Sequence, residues 1–301
     1  MKSLIVLISN PVAYKASSSK VAQASYYLQS KGYTVESLFT DKKGDAEEFA
    51  RKAIEKSPAL IIAAGGDGTY NEVINGIAGS EIPMAILPLG TTNVLAKELG
   101  IPETVEGSMD VAIRGTPRVV SLGKITLQKG SPKARYFSTM LGIGFDAQTV
   151  FELNKTFKTI SGKGAHIYSG MKVLSRFHPA ELTFTIGEKS YTGYSAVIGK
   201  GAKYGGHFKI TPDARLTDPN LYICIFKGKK RRDIFRYVMG VLTKNHLSFK
   251  DIAYLMAQKI QVDGSAHVQI DGDYFGMTPA LIETAPVTAR FVYPAGREHA
   301  P

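Results

Sequence analysis

The stretch GGDGT, Gly65 to Thr69, has the residue types that phosphate chemistry needs. Backbone N–H groups at a helix start bind phosphate, because the helix dipole and the unpaired donors point the same way. Gly65, Gly66 and Gly68 let the chain turn sharply, and they let a phosphate approach the backbone with no Cβ in the way. A carboxylate among phosphates is unfavourable alone, so Asp67 implies a bridging Mg²⁺ or a role on an attacking hydroxyl. Thr69 has a hydroxyl to donate. The plainer alternative is a strand-to-helix turn that merely needs glycine. The run is neither GxGxxG nor GxxxxGK followed by Ser or Thr, so the usual dinucleotide fold and the P-loop fit poorly.

A second stretch, PLGTTNVLAKELGIP (88–102), repeats the pattern. Gly90 turns the chain, and Thr91, Thr92 and Asn93 offer hydroxyls and an amide at the next helix start. Simple helix capping by Thr or Asn is the alternative. A third, IDGDYFG (270–276), places Asp271 and Asp273 around a glycine. A carboxylate there can accept the proton of an alcohol attacking a γ-phosphate. Asp-Gly is also a strong signal for a type I′ hairpin turn, and the two readings are compatible. VDGSAH (262–267) lacks the following acid and reads as a plain hairpin.

The elements that must position these residues follow from the apolar pattern. LIVLIS (4–9), TVESLFT (34–40), ALIIAA (59–64) and PMAILPL (83–89) read as strands. Helical stretches alternate with them. One spans Lys20 to Lys31, with Val21, Ala24 and Leu28 on one face. Another opens at Asp45 as N-cap, with Glu48 three residues on. Strands that are apolar throughout are buried on both faces, and their alternation with helices predicts a parallel sheet. The two polar loops then lie at the ends of neighbouring strands and face one crevice. After about residue 120 the chain becomes mainly strand-like and alternating. In ELTFTI, Leu182, Phe184 and Ile186 share a face. Helical stretches are expected at 145–177 and 231–257.

Composition bounds the class. The chain has 301 residues, enough for two domains, and is 44% hydrophobic and 21% charged, as in ordinary globular proteins. A single cysteine, Cys224, excludes an internal disulfide and any cysteine-rich metal site; in LYICIF it reads as a buried, inert thiol. The six histidines lack metal-ligand spacing. No signal peptide or membrane span is evident, so a cytoplasmic location is expected. Lys and Arg number 37 against 26 Asp and Glu, a net charge of +11 that favours anionic partners. Basic residues crowd at Lys227, Lys229, Lys230, Arg231 and Arg232, just before Ile234, Phe235, Tyr237, Val238 and Met239. Such a segment can sit on an anionic lipid interface, or be a solvated loop and a packed helix.

GGDGTYNEVINGI followed by PLGTTNVLAKELGIP resembles the catalytic domain of the bacterial diacylglycerol kinase-like lipid kinases, a family that also resembles sphingosine and ceramide kinases. GGDGT alone is shared with NAD kinases. The resemblance covers nearly the whole chain: Asn10-Pro11, Thr40 before Gly44-Asp45-Ala46, LGIGFDA, KYGGHFKITPDARLTD and QIDGD all resemble family motifs. It implies an α/β nucleotide-binding domain over residues 1–122, completed by a returning segment at 285–301, and a β-sandwich lipid-binding domain over 123–284. It implies ATP and Mg²⁺ as cofactors and a lipid hydroxyl, such as that of diacylglycerol, as acceptor. ATP would meet Asn10, Thr40, Gly65, Gly66, Asp67, Gly68, Thr69, Tyr70, Asn71, Glu72, Gly90, Thr91 and Asn93. Asp273 would be the general base, with Asp271 and Asp67 beside it in the chemistry. The family's metal loop corresponds to ARLTDPNL, with a carboxylate from Asp218 and mainly backbone oxygens from Asn220 and Arg215. Here Pro219 replaces the usual glycine after Asp218, and proline fixes a backbone angle that glycine leaves free. The expected setting is peripheral contact with an anionic membrane and no nucleic acid, with homodimerisation left open. An NAD kinase-like enzyme and a non-catalytic nucleotide- or lipid-binding module are the alternatives.

Overall fold

The computed structural model describes residues 3–10, 15–130, 132–156, 179–206 and 208–296. The chain forms two compact units. The first comprises residues 1–122, 205–207 and 285–301, and the second 123–204 and 208–284.

The first unit runs β1 (Leu4–Ser9), α1 (Lys15–Ser30), β2 (Thr34–Phe39), α2 (Asp45–Glu55), β3 (Leu60–Gly65), α3 (Asp67–Ile77), β4 (Pro83–Pro88), α4 (Val94–Leu99), α5 (Val105–Arg114) and the start of β5 (Thr116–Leu127). Its strands pair in parallel in the order β2-β1-β3-β4. All six residues of β3 are buried, because helices cover both faces. Val21, Ala24 and Leu28 of α1 and Met109 of α5 pack on Ile5, Leu7 and Ile62. The alternate residues Val6, Ile8, Ile61 and Ala63 are equally buried, and α2 and α3 contact β1 and β3. Asp45 is not an N-cap. Gly44 takes that place in the left-handed region, and the Asp45 carboxylate instead accepts the N–H groups of Asp41 and Lys42 at 2.8 and 2.9 Å. Those two bonds hold the Asp45 carboxyl below its usual range.

The second unit contains β6 (Lys133–Phe137), β7 (Met140–Ile143), α6 (Phe145–Thr156), β8 (Leu182–Ile186), β9 (Lys189–Gly193), β10 (Ser195–Gly199), β11 (Lys203–Tyr204), β12 (Phe208–Lys209), β13 (Leu221–Phe226), α7 (Arg231–Leu242), β14 (Ile252–Ala257), β15 (Lys259–Asp263), β16 (His267–Ile270), β17 (Asp273–Met277) and the start of β18 (Ala280–Tyr293). One antiparallel sheet has the order β14-β13-β10-β7-β16-β17. A second set pairs β18 with β15, β15 with β8, β8 with β9, and β5 with β6. Leu141, Ile198 and Ile223 of the first sheet meet Phe184, Ile260 and Ile282 of the second set in one apolar core. This is a β-sandwich. The end of β18 runs back into the first unit and pairs in parallel with β4, Phe291 opposite Met84.

Two of these sequence expectations need correction, and a third is described only in part. The helix at 231–257 stops at Leu242, and the stretch from Ile252 is β14, whose edge position needs only one buried residue, Ala257. VDGSAH is not a hairpin, since β15 and β16 belong to different sheets and Gly264 carries the chain between them. Of the helix expected at 145–177, α6 is the described part, and the remainder lies outside the described residues.

The fit of α2 on α3 depends on Gly76. A Cβ there would lie 2.5 Å from the Glu47 carbonyl and 2.6 Å from the Ala50 Cβ. Gly76→Ala is expected to lower stability by about 1–3 kcal/mol despite its better helix propensity, because the neighbouring backbone cannot yield. Urea unfolding measures this, and an unchanged midpoint would contradict the packing.

Candidate functional site

In the first unit the candidate residues gather at the carboxyl ends of the parallel strands. The order β2-β1-β3-β4 reverses direction between β1 and β3, which is where open α/β sheets bind ligands. The strand ends are laced together. Thr40 N–H donates to Ser9 O at 2.9 Å, and Asn10 N–H to Ala64 O at 3.3 Å. Leu89 and Gly90 N–H groups both donate to Gly65 O, at 2.8 and 3.0 Å. Among the described residues, the hydroxyl of Ser9, buried at this crest, has no hydrogen-bond partner.

The two glycine loops touch backbone to backbone. A Cβ on Gly90 would stand 2.5 Å from the Gly66 Cα. Asn93 fixes the second loop, accepting Gly90 N–H at 3.0 Å and donating to Gly90 O at 2.8 Å. Asp67 Oδ1 accepts Leu95 N–H at 3.2 Å, so the carboxylate joins the start of α4 to the start of α3. Gly66 caps α3 in an extended conformation, with no side chain closing its first turn. A helix start of this kind suits a phosphate.

Three of the expected contacts have other work. Tyr70 is buried, and its hydroxyl donates to Gly65 O at 2.6 Å; burial and the nearby Asp67 charge push its pKa well up. It therefore braces the loop from below. Glu72 accepts Ala46 N–H at 3.3 Å and ties α3 to α2. Asn71 is buried, and both its side-chain and main-chain oxygens accept the Asn75 amide. Gly65 ends β3, Gly68 and the buried Thr69 lie in the first turn of α3, and Gly66, Gly90 and the exposed Thr91 lie on the loops.

In the second unit, β16 and β17 form a hairpin with Ile270 opposite Asp273. Asp271 (φ 47°) and Gly272 (φ 90°) are its two central residues, the pattern of a type I′ turn. The two carboxylates differ. Asp271 is buried, and its oxygens accept the N–H groups of Ser138, Thr139 and Met140 at 2.9–3.0 Å and both hydroxyls of Ser138 and Thr139. That saturates its acceptor sites and leaves no lone pair for an alcohol proton, so Asp271 pins the β6–β7 corner to the turn. Asp273 is half-buried, at the start of β17.

Sequence reasoning missed Asp146 and Gln269. Gln269 is buried, donates to Asp146 at 2.7 Å, and accepts Gly272 N–H at 2.8 Å. It thus links the turn to Asp146, which also accepts the Tyr204 hydroxyl. Burial pushes the Asp146 carboxyl up, against these two bonds. Asp146 and Tyr204 lie on the wall of a cavity of about 290 Å³ that is otherwise largely apolar, lined by Ile143, Val197, Phe226 and Val241 among others. The only signal for it in sequence was LGIGFDA.

At the loop expected to hold a metal, every expected ligand already has a donor. Asp218 Oδ1 accepts the Asn220 N–H and side-chain amide at 2.8 Å, and Oδ2 accepts the Tyr222 hydroxyl at 2.8 Å. Burial pushes the Asp218 carboxyl up, but these bonds outweigh it and hold the group below its usual range. The Arg215 carbonyl accepts Asp218 N–H at 3.0 Å, and the Asn220 carbonyl accepts Lys200 Nζ at 3.1 Å. The residues present do not fit a divalent metal here. Elsewhere, Cys224 is buried as expected, its thiol pushed up to about 12. No helix among the described residues is long and apolar enough to cross a membrane.

Comparison with known proteins agrees with this layout. Residues 4–125 match the diacylglycerol kinase catalytic domain, and residues 139–293 match the YegS C-terminal NAD kinase beta sandwich-like domain. A Bacillus subtilis (strain 168) protein named diacylglycerol kinase is 31% identical over 91% of this chain and 90% of its own length. A Staphylococcus epidermidis protein of the same name is 28% identical over 91% of this chain and 87% of its own. A solved structure from Bacillus anthracis str. Sterne shares the fold with a TM-score of 0.76 at 22% identity, covering 98% of each chain.

Asp271→Asn keeps the shape but places an amide N–H₂ against backbone donors. It is expected to lose about 2–3 kcal/mol of stability. Chemical denaturation checks this, and wild-type stability would contradict the pinning role.

Proposed function

Because the chain belongs to the diacylglycerol kinase family and is a kinase-type enzyme, we propose that it transfers the γ-phosphate of ATP, with Mg²⁺, to a hydroxyl of a lipid such as diacylglycerol. The observation that carries the phosphate half is the contact between the two glycine loops at the strand ends, where a Cβ on Gly90 would stand 2.5 Å from the Gly66 Cα. The start of α3, which no side chain caps, holds the phosphates. Ser9 and Thr40 border the same crest. Asp67 offers its carboxylate toward Mg²⁺, which neutralises charge on the transferring phosphate.

The apolar cavity of the second unit supports an acyl-chain acceptor rather than a polar one. Asp273 accepts the proton of the attacking hydroxyl. Asp271 and Gln269 are positioning residues: they fix the turn that carries Asp273. Asp67→Ala and Asp273→Ala should each lower kcat by at least about 10²-fold on a panel of lipid alcohols. Wild-type turnover in either variant would remove that residue from the mechanism.

The lipid lies in a bilayer, and α7 supports peripheral docking at an anionic surface. Ile234, Tyr237 and Val241 pack inward, yet Phe235 is 62% exposed and Val238, Met239 and Leu242 are each over 40% exposed. Lys227, Lys229, Lys230, Arg231 and Arg232 are exposed just before or at the start of the helix. Val238 and Leu242 also line the cavity, so the apolar surface leads into it. An apolar face edged by cations is the signature of an interfacial helix. Phe235→Ser with Met239→Ser should weaken binding to vesicles containing phosphatidylglycerol by about 10-fold or more, by loss of buried apolar area. Co-sedimentation reads this, and unchanged binding would place docking elsewhere.

A further inference from the structure

The ARLTDPNL loop already contains a cation. Lys200 follows β10 and is fully buried. Its Nζ donates to the carbonyl oxygens of Asp218 and Asn220, the latter at 3.1 Å. It also interacts electrostatically with the Asp218 carboxylate. Mg²⁺ demands near-octahedral oxygens at about 2.0–2.1 Å. Here the same oxygens are bonded to an ammonium, to amides and to a phenol, and a divalent ion would meet the ammonium as a like charge. Pro219 fits this arrangement, because a loop closed around a side chain needs no glycine freedom between Asp218 and Asn220. Among the described residues, no group of three or more His, Cys, Asp or Glu stands ready to hold a metal.

We propose that Lys200 is a built-in cation that takes the place of a divalent metal in the Asp218 loop, so that this loop forms and keeps its shape without Mg²⁺. The Mg²⁺ that accompanies ATP is a separate ion. The peptide N–H of Lys200 donates to Thr139 O at 2.8 Å, and Thr139 is one of the residues that hold Asp271. The lysine therefore joins the loop to the hairpin turn through one residue. Nothing in this inference depends on which alcohol is phosphorylated, or on phosphorylation at all.

The test needs no turnover. Nucleotide-free wild type is titrated calorimetrically with Mg²⁺ and Mn²⁺, and its thermal midpoint is read with and without EDTA. Asp218→Asn identifies any uptake that belongs to this loop. Wild type should show no uptake that Asp218→Asn removes, and EDTA should leave its midpoint unchanged. Lys200→Ala should lower the midpoint by about 3–6 °C relative to Lys189→Ala, an exposed control. Lys200→Met keeps the stem and should also fall. Uptake of one divalent ion that Asp218→Asn abolishes would overturn the proposal, as would a wild-type midpoint in both Lys200 variants. If neither variant folds, the wild-type titration still decides.

Discussion

At the carboxyl ends of β3 and β4, Gly66 and Gly90 stand backbone to backbone with no side chain between them. Much of the first unit serves that contact. β3 and β4 pair in register from Ile61 and Met84 to Gly65 and Pro88, which brings the two loops out side by side. Tyr70 and Asn93 brace them from within, and Asp67 bonds across from one helix start to the other. A Cβ on Gly90 would push the loops apart. The result is an uncapped helix start beside one carboxylate, which suits phosphoryl transfer, where a protein supplies position and charge rather than covalent chemistry.

The second unit repeats the principle with side chains. Asp271 is a carboxylate held by five donors, and its role is to join the β6–β7 corner to the Asp271-Gly272 turn. Thr139 passes that constraint to Lys200, and Lys200 passes it to the Asp218 loop. Gln269 reaches from the turn to Asp146 on the cavity wall. A buried carboxylate and a buried ammonium thus anchor the two ends of one hydrogen-bonded path. Each is costly to bury alone and stable only with its donors or acceptors in place. Removing a partner therefore disturbs the turn as well as the local bond.

Much of the fold was legible because β1, β3 and β4 are almost wholly apolar and separated by helices; LIVLIS became β1 and ALIIAA became most of β3. ELTFTI alternates, and Leu182 and Phe184 are buried on one face as read. Glycine loops carry a local signal, so GGDGT and PLGTTN were visible at once. Other features had none. Whether an edge segment such as IAYLMA is helix or strand is settled by its partner, here β13, and not by its own pattern. Nothing local shows that a carboxylate will be held by five donors, so the pinning role of Asp271 had no signal in the sequence. Lys200 carries no local signal, because its contacts lie 18 and 20 residues away.

The central claim is that the γ-phosphate of ATP ends on a lipid hydroxyl. The most direct measurement follows that phosphate, isotopically labelled, into products from vesicles that carry diacylglycerol and other lipid alcohols, with NAD present as a competing acceptor. The account predicts label in a phosphorylated lipid, dependent on Asp273 and absent from NAD. Label recovered only in NAD or in free phosphate, with every lipid alcohol unmodified, would contradict it.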